Sequence, residues 1–214
     1  VPGLDVAGTV VAAGADVTWF AVGEEVFGIG QGSFADYACA RADKLTRKPA
    51  NLTFDQAAAV AVSGLTALQG LRDAGRLRPG QHVLVTGASG GVGTFAVQIA
   101  KALGAQVTGV CSTAKTDLVT SIGADHVLDY TRDDFADGSQ RYDLILDIAG
   151  NSPLARLRRA CLDRPAPAAV GHAGLRLLRQ VKLSRSSLLR ISGFWSSSRR
   201  CLAVHLTPRS RRRG

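Results

Sequence analysis

The chain has 214 residues, 46% of them apolar, and a formal net charge of +9, long enough for one full domain and part of another. It has no run of 18 apolar residues and no charged-then-apolar leader, so neither a membrane span nor a signal peptide is expected. Cys39, Cys111, Cys161 and Cys201 are scattered without a C-x-x-C pair, and His82, His126, His172 and His205 are equally dispersed. That pattern points to reduced thiols in a cytoplasmic protein and away from a disulfide framework or a zinc site.

Residues 1–50 are expected to form short strands, at 6–11, 25–28 and 33–39, punctuated by Gly23, Gly28, Gly30 and Gly32. A helix should begin near Asp55 and run through the alanines at 57–59 and 61. Ser63-Gly64 is expected to interrupt it before a second helical piece over 66–71. Pro79-Gly80 then turns the chain into the apolar strand His82-Val83-Leu84-Val85-Thr86, which runs into Gly87-Ala88-Ser89-Gly90-Gly91-Val92-Gly93. After the glycines, Phe95, Val97, Ile99, Ala100 and Leu103 recur at helical spacing. Strand, glycine-rich turn and helix in this order are what a dinucleotide pyrophosphate requires. The glycines permit a tight turn and close backbone approach, and the helix N-terminus offers free N–H groups with a favourable dipole.

Further strands are predicted at 106–110, 125–128 and 144–148, with a short helix over 115–122. Strands alternating with helices at this spacing give an α/β fold, a doubly wound, parallel, Rossmann-like sheet, here incomplete. The dinucleotide-binding domain is assigned to residues 51–159, and the β-rich segment before it to 1–50.

From Pro2 to about Arg159 the chain resembles the zinc-free, quinone-oxidoreductase-like branch of the medium-chain dehydrogenase/reductase superfamily. The resemblance is carried by Pro2-Gly3-Leu4-Asp5-Val6-Ala7-Gly8, Gly23-Glu24-Glu25-Val26-Phe27-Gly28 and Ser63-Gly64-Leu65-Thr66-Ala67. The glycine-rich turn, Ile122-Gly123-Ala124-Asp125-His126-Val127 and Asp129-Tyr130 complete it. It implies that residues 1–50 are part of a GroES-like substrate domain. It also implies hydride transfer between NAD(P)H and a small carbonyl, enone or quinone, in a protein that forms dimers. In zinc-dependent relatives a metal-binding histidine follows the Pro-Gly pair. Leu4 stands there in this chain and has no lone pair to offer, so no metal is expected, and Leu4 itself is expected to be a buried core residue.

An acid about 20 residues beyond the fingerprint would pair with the ribose 2′-OH of NAD. The count reaches Cys111, Ser112 and Thr113, none of them acidic, with Lys115 beyond. Ser112 and Lys115 therefore predict NADP(H) in preference to NAD(H), and the resemblance implies that Tyr130 reaches the same 2′-phosphate. The resemblance also places Ser63 and Thr66 near the nicotinamide or its phosphates. Ile148 and Ala149 follow the fourth strand, on the carboxyl edge of the sheet where cofactors dock. Asp147 reads equally well as a cofactor-facing acid or as a helix-capping carboxylate. No catalytic acid is named, since hydride transfer can rely on positioning and on protons from water.

Charge divides the chain. Residues 1–153 carry 11 Lys/Arg against 16 Asp/Glu, and residues 154–214 carry 15 against Asp163 alone, giving −5 and +14. The resemblance stops where this basic segment begins, so residues 160–214 are expected to be a shifted reading frame or a disordered tail. A basic helix over 175–189 is the remaining reading. It would favour an anionic membrane or nucleic acid, although Phe194 and Trp195 are too few for a base-stacking platform. Without the family's next strands, the fourth strand is expected to be a bare, aggregation-prone edge. Three functions follow from these features: a zinc-free NADPH-dependent reductase, a non-catalytic nucleotide-binding module, and an interaction protein acting through the basic tail.

Overall fold

The computed structural model describes residues 2–162, 176–177 and 201–206. The described elements begin with β1 (Asp5–Ala13), β2 (Glu25–Ile29), β3 (Tyr37–Arg41), β4 (Leu45–Arg47) and α1 (Phe54–Leu68). There follow β5 (His82–Thr86), α2 (Gly91–Ala102), β6 (Gln106–Cys111), α3 (Thr116–Ser121), β7 (His126–Asp129) and β8 (Leu144–Asp147). The last are α4 (Leu154–Ala160), β9 (Arg176–Leu177) and β10 (Cys201–Leu206). The chain divides into two compact units, one drawn from Val1–Ser63 and Arg185–Gly214 and the other from Gly64–Ser184.

The first unit is an antiparallel sheet in the order β3-β10-β1-β2-β4. Val6, Val10 and Val26 fill its core together with Leu202 and Val204 of β10. The segment 201–206 is therefore no disordered tail. It pairs with β1 on one side and β3 on the other, and every second side chain (Leu202, Val204, Leu206) is buried. β3 begins at Tyr37 and not at Ser33. The N–H groups of Gly32 and Phe34 bond the carbonyls of Gly3 and Pro2, which takes this stretch out of the ladder. Leu4 is 54% exposed, contrary to the expectation of a core residue. It lies just before β1, where its carbonyl accepts the Gly30 N–H but no core forms around its side chain.

The second unit holds a parallel sheet, β7-β6-β5-β8, with β9 added antiparallel beside β8. β8 is thus not the bare edge expected, although only Leu146 and Asp147 are paired by β9. Ala96, Val97 and Ala100 of α2 pack on one face of the sheet. Leu157 of α4 and Tyr142 pack on the other, against Leu84 and Ile145. The central strands are buried on both faces, which accounts for their continuous apolar runs.

α1 continues unbroken through Ser63-Gly64 and widens into an i→i+5 turn over Gln69–Ala74. A single glycine costs a helix only about 1 kcal/mol, and the alanine-rich flanks outweigh it. The expected basic helix over 175–189 lies outside the described residues, except for Arg176–Leu177, which form β9.

Candidate functional site

The apolar strand β5 delivers the chain to Gly87, whose φ of +69° is the left-handed conformation that side chains disfavour. Ala88 is buried and donates its N–H to the Val110 carbonyl (3.0 Å), while Gly90 donates back to Gly87 (3.0 Å). Gly90 is extended, at φ −80° and ψ 174°, and caps α2 with no side-chain hydrogen bond. The first bond of the helix runs from Thr94 N–H to the Gly90 carbonyl (2.9 Å). That leaves the N–H groups of Gly91, Val92 and Gly93 as the free donors of the helix N-terminus. No acid lies in this first turn, so no carboxylate on the helix itself offsets its positive dipole. At Gly93 a Cβ would overlap the Gly87 carbonyl and stand 2.7 Å from the Ala88 Cα. The missing side chain is what lets the helix sit directly on the turn.

Asp147 ends β8 directly opposite Thr86. It is 1% exposed, and its Oδ1 accepts the Thr86 hydroxyl at 2.5 Å and the Gly150 N–H at 3.2 Å. Oδ2 is buried without a protein partner. The Gly150 bond curls the Ile148-Ala149 loop back onto the glycine turn, so that Ala149 N lies 3.4 Å from where a Cβ on Gly87 would stand. Asp147 is not a helix cap, because Pro153 occupies that position on α4.

A second group forms where β6 and β7 end. Ser112 leads into a tight turn, Thr113–Lys115, and its carbonyl accepts the Lys115 N–H (2.9 Å). Tyr130, 64% exposed, donates its N–H to the Cys111 carbonyl (3.1 Å), which ties the two strand exits together. Between them Asp129 is buried, its carboxylate accepting the hydroxyls of Thr113 and Thr131 and the Thr131 N–H. These donors, the Thr113 hydroxyl foremost, hold its pKa below the usual carboxylate value.

The structure thus brings Ile148 and Ala149 against the turn formed by Gly87, Ala88, Ser89, Gly90, Gly91, Val92 and Gly93. It groups Ser112, Lys115 and Tyr130 at one corner of the same sheet. Ser63 and Thr66 are half-buried on α1, and their link to the rest is carried by the resemblance alone. Sequence reasoning missed Thr86 and Thr113, and took Asp129 only as a family marker. The one local signal was the Asp129-x-Thr131 spacing of an Asx turn. Among the described residues no three His, Cys, Asp or Glu side chains come together as a metal site. Cys161 is buried, which pushes its thiol up to about 11 and leaves it a poor nucleophile.

Two family models match the chain. The alcohol dehydrogenase GroES-like domain covers residues 1–50 and the zinc-binding dehydrogenase model residues 91–165. A mitochondrial NAD(P)H oxidoreductase of Mus musculus is 39% identical over 161 residues, covering 70% of this chain and 41% of that protein. The structure of a quinone oxidoreductase from Coxiella burnetii has a TM-score of 0.66 and 34% identity, covering 70% of this chain and 49% of that one. A mycobacterial protein solved in complex with NADPH has a TM-score of 0.66 and 31% identity, covering 72% of this chain and 51% of that one. The chain therefore spans about half the length of the relatives it matches.

Proposed function

The chain belongs to the medium-chain dehydrogenase/reductase superfamily, in its quinone-oxidoreductase-like branch, and from that premise we propose that it serves an NADPH-dependent, zinc-independent reduction of a quinone, enone or carbonyl. The observation that carries the reading is the uncapped N-terminus of α2, seated on the Gly87–Gly90 turn through the missing Cβ of Gly93. Three free N–H groups and the helix dipole fit a pyrophosphate. The buried, unpartnered Oδ2 of Asp147 on the facing wall is a spare acceptor, fitting a bound water or a ligand donor.

In this reading Gly91, Val92 and Gly93 hold the pyrophosphate, and the Ile148-Ala149 loop closes the opposite side of the crevice. Ser112 donates a hydrogen bond to the 2′-phosphate, Lys115 supplies positive charge, and Tyr130 adds its hydroxyl. Ser63 and Thr66 approach the nicotinamide end. The bound cofactor supplies the hydride, while the chain's residues orient it and hold its charge. Leu4 supports a reaction without zinc, since it stands where zinc-dependent relatives place a histidine ligand.

Titration with NADPH and NADH, followed by steady-state oxidation of NADPH with a quinone, tests the proposal. Tighter binding of NADPH with turnover is the expected result. Binding without turnover would make the chain a nucleotide-binding module, and the absence of any binding would overturn the site. Lys115→Glu should move the preference towards NADH; an unchanged ratio of affinities would remove Lys115 from the 2′-phosphate site.

A further inference from the structure

In NAD-binding sheets of this kind an acid at the end of the second strand grips the ribose 2′-OH. The second parallel strand here, β6, ends in Cys111 and is followed by Ser112. A carboxylate does reach this corner, from the neighbouring strand, because Asp129 is the ladder partner of Cys111. It is largely engaged. Oδ1 accepts the Thr131 N–H at 3.0 Å and the Thr131 hydroxyl at 2.8 Å, and Oδ2 accepts the Thr113 hydroxyl. The Arg132 guanidinium stands 4.0 Å from Oδ2, and the Asp129 N–H donates to Asp133 at 2.8 Å. A carboxylate has about four acceptor positions, and three of them are taken from within the chain.

We propose that the Thr113–Asp129 pair is a latch that determines cofactor choice. It fixes the exits of β6 and β7 at the spacing that presents Ser112, Lys115 and Tyr130 to a 2′-phosphate, and it withholds the Asp129 carboxylate from a ribose 2′-OH. The inference rests on the reading of this corner as the 2′-phosphate site. Thr113 lies between Ser112 and Lys115 and opens their tight turn. Tyr130 and Thr131 directly follow Asp129. The Thr113 hydroxyl therefore braces the turn that carries Ser112 and Lys115 against the strand end that carries Tyr130, beside the Tyr130–Cys111 backbone bond. Both Thr113 and Asp129 are positioning residues that act through these neighbours. Loss of the Thr113 hydroxyl would free Oδ2 towards the ligand. A free carboxylate attracts the hydroxyl of NADH and repels the phosphate of NADPH, so the two affinities should move apart.

Thr113 is itself exposed, so Thr113→Val removes the donor without touching the core. Calorimetric titration of wild type, T113V and Thr113→Ser with NADPH, NADH and adenosine 2′,5′-bisphosphate tests the latch. In T113V the NADPH-to-NADH affinity ratio should fall roughly tenfold, the scale of a hydrogen bond to a charged group. Binding of the bisphosphate should weaken in parallel, and T113S should keep both within about twofold of wild type. A wild type that prefers NADPH, with an unchanged ratio in T113V, overturns the latch and leaves the site standing. Equal weakening of both nucleotides assigns Thr113 a merely structural role and also overturns it. A wild type that binds neither the bisphosphate nor NADPH overturns the latch and the site together.

Discussion

Gly93→Ala adds one carbon where the helix meets the turn, and the structure dictates what that carbon meets. The new Cβ would overlap the Gly87 carbonyl and stand 2.7 and 2.8 Å from Ala88 Cα and C, all of it backbone. No side chain can swing aside. To restore an ordinary contact of 3.4 Å, the helix and the turn must part by about 0.7 Å at Ala88, and by more at Gly87. Overpacking of this kind costs about 1–3 kcal/mol. In a chain of this size each kcal/mol lowers the Tm by about 2–4 °C. The same displacement carries the N–H groups of Gly91, Val92 and Gly93 away from the crevice. A misplacement of about 1 Å in a positioning group costs up to roughly 100-fold, so NADPH affinity should drop about 10- to 100-fold. Gly90→Ala is the matched control for stability. Its Cβ meets only the Gly87 carbonyl, at 3.3 Å, and its φ of −80° suits alanine, so the cost should stay below about 0.5 kcal/mol. Urea unfolding and fluorescence titration with NADPH read both quantities. If G93A matched wild type in both, the close seating of α2 on the turn could not be what forms the site.

Three further outcomes are expected. Thr86→Val leaves the buried Asp147 carboxylate with the Gly150 N–H as its one remaining bond, and should cost about 1–3 kcal/mol; an unchanged urea midpoint would mean that water replaces the hydroxyl. Leu202→Ala empties a fully buried position in β10 and should cost about 2–5 kcal/mol, whereas a residue in a loose tail would lose nothing measurable. Two groups predict a loss of stability on acidification. The Lys101 ammonium, at 2.7 Å, holds Asp125 below its usual pKa. Its contribution is present above the unfolded value of about 3.9 and is lost as pH falls through the lower folded value. Burial foremost, and then the neighbouring His126, depress the pKa of His82, so its contribution fades as pH falls below the unfolded value of about 6.5. Asp125→Asn should flatten the first limb of urea stability against pH and His82→Gln the second; a variant with the wild-type curve would clear that residue.

The crevice was readable from sequence because its parts are consecutive. Glycine spacing, the apolar strand before it and the helical period after it all lie within 82–103, so local chemistry fixes their relation. Its far wall was not readable in the same way. Thr86 and Asp147 meet across 61 residues, and nothing in either neighbourhood announces a partner. Asp129 is the instructive case. A strand followed by Asp-Tyr-Thr looks like a solvated strand end, and only the parallel pairing of β6 with β7 brings Thr113 over it. Leu4 failed in the opposite sense. An apolar residue between glycine and aspartate suggests burial, yet burial depends on what packs against that end of the strand.

Cys201–Leu206 shows how composition can hide a pattern. Averaged over 154–214 the charge is +14, and that average argues for a solvated or foreign tail. Read residue by residue, Leu202, Val204 and Leu206 alternate with Cys201, Ala203 and His205, the period of a half-buried strand. The segment contains no Lys, Arg, Asp or Glu, although Arg199 and Arg200 precede it directly. The sheet explains why such a strand must exist. β10 lies between β3 and β1, so without it β3 loses its ladder partner and β1, still paired with β2, exposes one edge. Backbone groups left unpaired in that way cost more than a few surface charges can repay. The apolar alternation of six residues therefore outweighs the basic composition around them, and it places the strand between β1 and β3 some 160 residues beyond β3.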